Sequence, residues 1–178
     1  MKIRIGFLTL ALGVMMTTPL LAKDLPTASF RDEHAEVKEH LRHLDAMAGE
    51  LAGQEPAKRS RTAGFIVEFL TDHILTHAEW EEKNLYPSVD KRTHGGEHPF
   101  TVTMRYEHGI IGRGIADLGE LAKKEIDPVR FTRDTDRLLG LIAAHFEKEE
   151  EVLLPVLDAS MTREQVEKEL GMDQKAHH

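Results

Sequence analysis

The chain contains no cysteine among its 178 residues. This absence excludes disulfide bonds, a lipid anchor on cysteine, a cysteine nucleophile, and thiolate ligands for zinc or iron–sulfur clusters. Any metal must therefore be held by nitrogen and oxygen atoms. Basic residues are also fewer than acidic residues, with 23 Lys and Arg against 31 Asp and Glu. The net charge of -8 argues against a nucleic-acid partner, whose phosphates would be repelled.

Long apolar runs are absent except at the start of the chain. Basic residues at Lys2 and Arg4 precede an apolar run from Ile5 to Leu21, and Ala22 offers a plausible cleavage point. This layout is typical of a secretory signal peptide over residues 1–22. The alternative is a retained membrane anchor, although the run is at the short limit for crossing a bilayer. We expect residues 23–178 to form one domain, periplasmic or secreted and free of the membrane.

A segment of eleven residues occurs twice in the chain, from His77 to Pro87 and from His145 to Pro155. Histidine, three glutamates, leucine and proline stand at the same offsets in both copies. Each copy holds a His-x-x-x-Glu pair, which a helix places one turn apart on one face. A single pair can arise by accident in an acidic helix. Two copies, each followed by a proline that we expect to end the helix, favour a duplicated metal-binding helix.

The repeat extends further towards the start of the chain. Glu33-His34 is matched by Glu107-His108, and apolar residues follow each histidine at equal offsets. Each half of the chain therefore predicts a histidine-bearing helix followed by a His-x-x-x-Glu helix. The modest connections favour an all-α, up-down-up-down four-helix bundle with a short C-terminal fifth helix.

Capping residues, glycines and prolines predict where the helices begin and end. Ser29 is the expected N-cap of the first helix, and Thr162 with Gln165 is the expected cap of the fifth. The first predicted helix covers residues 29–51, and the second ends before Pro87. The third covers residues 100–124, the fourth ends near Pro155, and the fifth ends near Leu170. A loop is predicted over residues 88–99.

Six polar residues lie on the otherwise apolar faces of the four long helices. They are His34, His77, Glu81, His108, His145 and Glu149. Any one of them could be a hydrogen-bonded core residue. Burying two carboxylates and four imidazoles at one level without compensation would be costly. A cation that satisfies all six residues explains the cluster better, so we interpret them as metal ligands.

The ligand types also indicate the metal and its reactivity. Nitrogen and oxygen ligands suit iron, and they suit zinc or manganese less distinctively. Four imidazole nitrogens and two bridging carboxylates would supply eight protein donor atoms to two metals. Two six-coordinate irons need twelve donors, and a shared oxo or hydroxo group would contribute two. One open position per metal would remain, where dioxygen, peroxide or nitric oxide could bind, so we expect a reactive site.

The order of these residues resembles the hemerythrin-like, or HHE cation-binding, domain family over nearly the whole chain after the leader. The Leu-Tyr-Pro and Leu-Leu-Pro sequences that follow the glutamates add to the likeness. The resemblance implies a four-helix bundle with a non-haem di-iron centre, bridged by Glu81 and Glu149. Oxygen-carrying members have a second histidine one turn before the residue matched by His108, where this chain has Met104. A thioether suits ferric iron poorly, which favours sensing or oxidative chemistry over reversible oxygen carriage.

Three residues have alternative interpretations. Oxygen carriers place the last acid five residues after its histidine, which makes Glu150 a rival to Glu149. His73 is either a substitute ligand or a residue outside the ligand set. Gly112 either allows close packing against a neighbouring helix or leaves room beside the metal.

Four functions are consistent with this sequence. The leading hypothesis is an exported non-haem di-iron protein that binds or senses a small oxidant, namely dioxygen, peroxide or nitric oxide. The alternatives are a peroxidase- or catalase-like di-iron enzyme, an iron- or cation-handling protein, and a structural zinc or manganese bundle. No signalling or DNA-binding segment is apparent in the sequence, so a sensor would need a separate protein partner.

Overall fold

The computed structural model describes residues 24–93 and 96–171. The predicted signal peptide lies outside these described residues. Within them all regular structure is helical and no strand occurs, which confirms the all-α fold class. A search of the same residues finds no helix with the length and apolar character needed to cross a bilayer.

Four long helices and one short helix follow one another along the chain, and we number them α1 to α5. α1 spans Ala28–Gly49 and is followed by a 3₁₀ turn at Leu51–Gly53. α2 covers residues 56–92 and comprises Pro56–Phe69, a π-helical segment Leu70–Leu75, Thr76–Trp80, a second π-helical segment Glu81–Leu85, and Tyr86–Arg92. α3 spans Pro99–Ala122. α4 covers residues 128–160 and comprises Pro128–Lys148, a π-helical segment Glu149–Leu153, and Leu154–Ser160, and α5 spans Arg163–Leu170.

The prediction that Pro87 and Pro155 end their helices is wrong. α2 continues to Arg92 and α4 to Ser160. The loop predicted over residues 88–99 is therefore shorter than expected. Each proline comes just after a π-helical segment, at the start of the α-helical turn that follows. Proline lacks an N–H group and clashes with the carbonyl four residues earlier in an α-helix. A π-helical turn bonds five residues apart, which removes that conflict and lets the helix continue.

The predicted helix starts are correct for α5 and wrong for α1. Thr162 and Gln165 form the expected capping box at the start of α5. α1 begins at Ala28, and Ser29 lies inside it instead of capping it. The start of α1 is instead fixed by Thr27, whose backbone N–H and hydroxyl both donate to the Asp158 carboxylate, at 2.9 and 2.8 Å. A tertiary contact therefore replaces the local cap.

The four long helices form a ring in which each neighbouring pair is in contact. The C-terminal parts of α2 and α4, Tyr86–Arg92 and Leu154–Ser160, also contact each other. α1 contacts α2 and α4, and α3 contacts the same two helices. The Thr132 hydroxyl, near the start of α4, donates to the Ala48 carbonyl near the end of α1. Thr27 and Asp158 join the opposite ends of these two helices.

The buried apolar residues form two clusters, one on each side of the six polar residues. The large cluster includes Leu41, Leu44, Ile66, Leu70, Ile74, Ile111, Ile115, Ile142 and Phe146. The small cluster consists of Phe30, Leu85, Tyr86, Val89, Met104, Leu153, Leu154, Leu157, Met161, Val166 and Leu170. On every long helix the polar ligand candidates fall between a residue of one cluster and a residue of the other. The polar layer therefore crosses the bundle and divides its core.

Two glycines of α3 face apolar side chains of neighbouring helices. An alanine methyl group at Gly112 would lie 3.8 Å from Leu75 Cδ2, an ordinary contact with an apolar side chain. A methyl group at Gly114 would lie only 2.8 Å from Leu138 Cδ1. Packing is therefore tight at Gly114, whereas Gly112 faces Leu75 instead of the six polar residues and leaves room for a methyl group.

These two glycines provide a matched test of helix packing. Gly112→Ala should raise the free energy of unfolding by about 1 kcal/mol, because alanine favours the helix and the space is available. Gly114→Ala should gain less or lose stability, because Leu138 must move. Thermal unfolding of the two variants at equal metal content measures the difference, with about 2–4 °C expected per 1 kcal/mol. Equal stabilisation by both substitutions would contradict the observed packing.

Candidate metal centre

All six predicted ligand residues meet in the polar layer between the two clusters. Their exposed fractions range from 0% to 8%, although every one of them is a histidine or a glutamate. They form two groups, and within each group the ligand atoms lie within 4.8 Å of one another. The first group is His34, His77, Glu81 and Glu149, and the second group is His108, His145, Glu81 and Glu149. Both groups share the two glutamates.

Glu81 directs one carboxylate oxygen to each group. Its Oε1 atom lies 2.7 Å from His77 Nε2 and 3.7 Å from His34 Nε2. Its Oε2 atom lies 3.2 Å from His108 Nε2. A carboxylate whose two oxygens point to two separate sets of nitrogen ligands has the geometry of a bridge between two cations.

Glu149 divides its oxygens in the same way. Its Oε2 atom lies 3.7 Å from His34 Nε2, and its Oε1 atom lies 3.6 Å from His145 Nε2. Both Glu81 and Glu149 are the first residues of π-helical segments. Such local changes in helical winding recur at functional sites.

Several buried polar atoms of this layer have no hydrogen-bond partner within the described residues. They include Nε2 of His34 and His77, both carboxylate oxygens of Glu81, and Oε2 of Glu149. The short contact between His77 Nε2 and Glu81 Oε1 is not in hydrogen-bonding geometry. Leaving such atoms unsatisfied in a core is costly. A pair of cations that accept nitrogen and oxygen ligands would satisfy them, so the residues present fit a metal centre.

In each of the four grouped histidines, the Nδ1 atom faces a glutamate outside the two groups. The pairs are His34 with Glu150 at 3.1 Å, His77 with Glu33 at 3.2 Å, His108 with Glu82 at 2.9 Å, and His145 with Glu107 at 3.1 Å. A carboxylate there accepts the Nδ1 proton, so the Nε2 lone pair is directed to the centre. The His108 and His145 Nε2 atoms lie 2.9 Å apart, and a cation would resolve the close approach of two lone pairs.

These four glutamate contacts were not predicted from the sequence. Two of the glutamates precede the histidines of α1 and α3, and two follow Glu81 and Glu149. All four stand at matching offsets of the internal repeat, and that match is the signal that identifies them. The contact of Glu150 with His34 Nδ1 also distinguishes the position of Glu150 from that of the adjacent Glu149. The structure directs Glu149, and not Glu150, into both groups.

Three other residues, His73, His43 and Met104, lie outside the groups. His73 packs its ring against Phe69, with 4.4 Å between the ring centroids, and is not one of the grouped residues. His43 is exposed and pairs with Glu39. Met104 is fully buried in the small cluster. The position of His73 therefore agrees with the alternative that puts this residue outside the ligand set.

Tyr86 enters the polar layer and was not predicted to do so. Its hydroxyl donates to Glu149 Oε1 at 2.7 Å and lies 3.1 Å from His108 Nε2 and 3.4 Å from His145 Nε2. The ring is fully buried. The only sequence signal was its place in the repeat, where the second copy has Leu154.

The charges of the layer are unevenly shared. Burial raises the pKa of Glu149, and the nearby Glu81 carboxylate raises it further. Burial also disfavours charge on Glu81, but His77 and the other imidazoles outweigh it and hold the pKa of Glu81 well below its usual range. Burial opposes the charge on His77 as well, yet Glu81 and Glu33 raise its pKa to about 9. Burial lowers the pKa of His145 to about 4. Cations would supply the positive charge that two buried carboxylates require.

Comparison with known proteins agrees with this geometry. The model of the hemerythrin HHE cation binding domain matches residues 25–157, which confirms the resemblance seen in the sequence. Comparisons with curated proteins and with solved structures find no match. Because the matched region includes all six grouped residues and most of the chain, this protein belongs to the hemerythrin HHE cation-binding domain family.

Proposed function

We propose that this protein holds two non-haem iron ions and binds or senses a small oxidant at them, with dioxygen, peroxide and nitric oxide as the candidate ligands. The observation that carries the proposal is the sharing of Glu81 and Glu149 by two four-residue groups. One carboxylate oxygen for each cation is what a closely spaced pair requires. The nitrogen and oxygen ligands favour iron over zinc or manganese. The two ions would supply redox chemistry, and the protein would supply their binding and orientation.

Burial of the ligands supports a resident cofactor over a transported cation. The six residues are at most 8% exposed, and apolar clusters cover them on both sides. A protein that delivers cations needs ligands that can exchange with a recipient. Slow loss of iron to an added chelator would support the resident centre, whereas rapid loss would favour cation handling.

A small cavity beside the polar layer supports a ligand of very few atoms. Its volume is about 10 Å³, and its walls include His77, Glu81, His108 and His145 from the two groups. Apolar side chains of the large cluster, including Phe146, complete the walls. A water molecule needs roughly 10–15 Å³ of such space. The cavity is therefore too small for an organic substrate and has space for about one water-sized group.

We further propose the up-down-up-down arrangement for the four long helices. Side-chain contacts support it at each neighbouring pair. Glu33 of α1 faces His77 of α2, and Glu82 of α2 faces His108 of α3. Glu107 of α3 faces α4, and the two ends of α1 meet the opposite ends of α4. Antiparallel neighbours joined by modest connections are typical of such bundles.

Export is also part of the proposal, and it has a direct test. Removal of residues 1–22 should leave a mature chain that begins at Lys23, because a basic start, an apolar run and Ala22 form a signal-peptide pattern. Mass spectrometry of the protein recovered from the periplasm or the medium measures the new N-terminus. Recovery of the whole chain in the membrane fraction would favour the retained anchor instead.

Adjacent glutamates give a sharp test of the metal centre. Glu149→Ala should lose most of about two irons per chain, because it removes one oxygen from each group. Glu150→Ala should retain more iron, because Glu150 only orients His34, and such supporting contacts typically change metal affinity about 10–100-fold. His43→Ala is the surface control and should leave the iron content unchanged. Elemental analysis of anaerobically loaded, desalted protein measures all three variants. Equal loss in all of them would place the metal elsewhere.

The reactivity of the reduced protein tests the proposed ligand. We expect it to consume dioxygen or peroxide, since two ferrous ions hold the two electrons that, with two protons, convert hydrogen peroxide into two water molecules. Rapid-mixing spectra and an oxygen electrode measure this reaction. Steady consumption of peroxide in the presence of a reductant would indicate an enzyme, and a single turnover would indicate a sensor. Reversible uptake and release of dioxygen over many cycles would instead favour oxygen carriage.

A further inference from the structure

The two halves of the centre differ at one position. The repeat places Tyr86 after Glu81 and Leu154 after Glu149, at the same offset from the histidine of each copy. Both side chains are fully buried in the small cluster. Only the first of them carries an oxygen atom, and that oxygen lies beside the second group. The residue at the matching offset of the second copy, Leu154, has a hydrocarbon side chain.

The winding of α2 explains how Tyr86 reaches the polar layer. In an α-helix, the residue five positions after Glu81 would be rotated about 140° away from it. A π-helical turn closes on the fifth residue, so it brings positions five apart to the same face. The π-helical segment Glu81–Leu85 lies between the two residues. Glu81 and Tyr86 therefore face the same centre.

The position of the Tyr86 hydroxyl matches that of a metal ligand. Metal bonds of about 2.1 Å at right angles place neighbouring donor atoms about 3.0 Å apart. The Tyr86 oxygen lies 2.7 Å from Glu149 Oε1, 3.1 Å from His108 Nε2 and 3.4 Å from His145 Nε2. Three of the four ligand atoms of the second group therefore surround it at this spacing. A hydroxyl that donates its hydrogen keeps lone pairs that can face a cation.

Other contacts hold the ring in this position. It stacks on the His108 ring, with 5.5 Å between centroids and 21° between planes. The guanidinium of Arg105 lies 5.3 Å from the ring centroid and is itself paired with Asp90 at 3.2 Å. A cation over the face of a tyrosine attracts the ring and restrains it. The hydroxyl is thus presented by a packed side chain.

We propose that the Tyr86 oxygen is a fifth protein ligand of the cation held by His108 and His145. The inference rests on the proposed metal centre. It gives this cation five protein donor atoms, while the cation held by His34 and His77 has four. Tyr86 would thereby supply a donor atom that the thioether of Met104, one turn before His108, does not. The cation of the first group, held by His34 and His77, would then keep one more open position for a small oxidant than the cation of the second group.

The chain contains only two tyrosines, which makes the experiment specific. Tyr86→Phe removes the proposed ligand atom and keeps the ring, and Tyr106→Phe is the control because Tyr106 is 67% exposed. On binding ferric iron the Tyr86 hydroxyl would release its proton to solvent, and the resulting phenolate–iron bond absorbs visible light and shows tyrosine ring vibrations in resonance Raman spectra excited in that band. Air-oxidised, iron-loaded wild type and Tyr106→Phe should show both signals. Tyr86→Phe should lose both and keep about two irons per chain.

The outcomes separate this inference from the proposed function. Two irons in the wild type without either signal, or signals that survive in Tyr86→Phe, would overturn the tyrosine ligand and leave the di-iron centre standing. If iron does not bind, the same three proteins are loaded with Co²⁺, whose visible spectrum depends on coordination number. A cobalt spectrum that changes only in Tyr86→Phe would support the ligand and reject iron as the metal. An unchanged cobalt spectrum, or no metal binding at all, would reject the tyrosine ligand.

Discussion

The structure depends on compensating the charge of two carboxylates buried between apolar clusters. Glu81 and Glu149 are fully buried, and water cannot reach them to screen their charge. Without cations the layer retains protons, because burial raises the pKa of Glu149 and the carboxylate partners of His77 raise the pKa of its imidazole. Cations would replace those protons, so metal binding is linked to the stability of the whole bundle.

The acidic character of the chain extends outward from this layer. Each of the four glutamates at the histidine Nδ1 atoms is partly exposed, so a carboxylate connects every imidazole with the surface of the bundle. Lys38 pairs with Glu150, and Lys148 with Glu107. Hydrogen bonding to His34 holds the pKa of Glu150 at about 2, so this carboxylate stays charged. Histidine orientation therefore depends on surface ion pairs as well as on core packing.

The sequence predicts the parts of this protein that follow ordinary helical periodicity. The six grouped residues could be identified because a polar residue on a regular apolar stripe is conspicuous, and because the chain repeats the pattern. The continuation of α2 past Pro87 could not be identified, since proline normally ends a helix. The position of Tyr86 beside the ligand residues could not be predicted either, because it depends on the winding of the helix. Five positions after Glu81 is the wrong face of an α-helix, and only the π-helical segment corrects it.

Pro87 and Pro155 also restrict how the helices fluctuate. A single widened turn can in principle migrate along a helix, as each N–H exchanges one carbonyl partner for the next. Proline has no N–H to exchange, and its ring blocks the return to ordinary spacing in the turn before it. The π-helical segments Glu81–Leu85 of α2 and Glu149–Leu153 of α4 are therefore confined to the residues just before Pro87 and Pro155. The rings of Pro87 and Pro155, which are not among the grouped residues, thus hold the carboxylates of Glu81 and Glu149 at fixed positions along their helices.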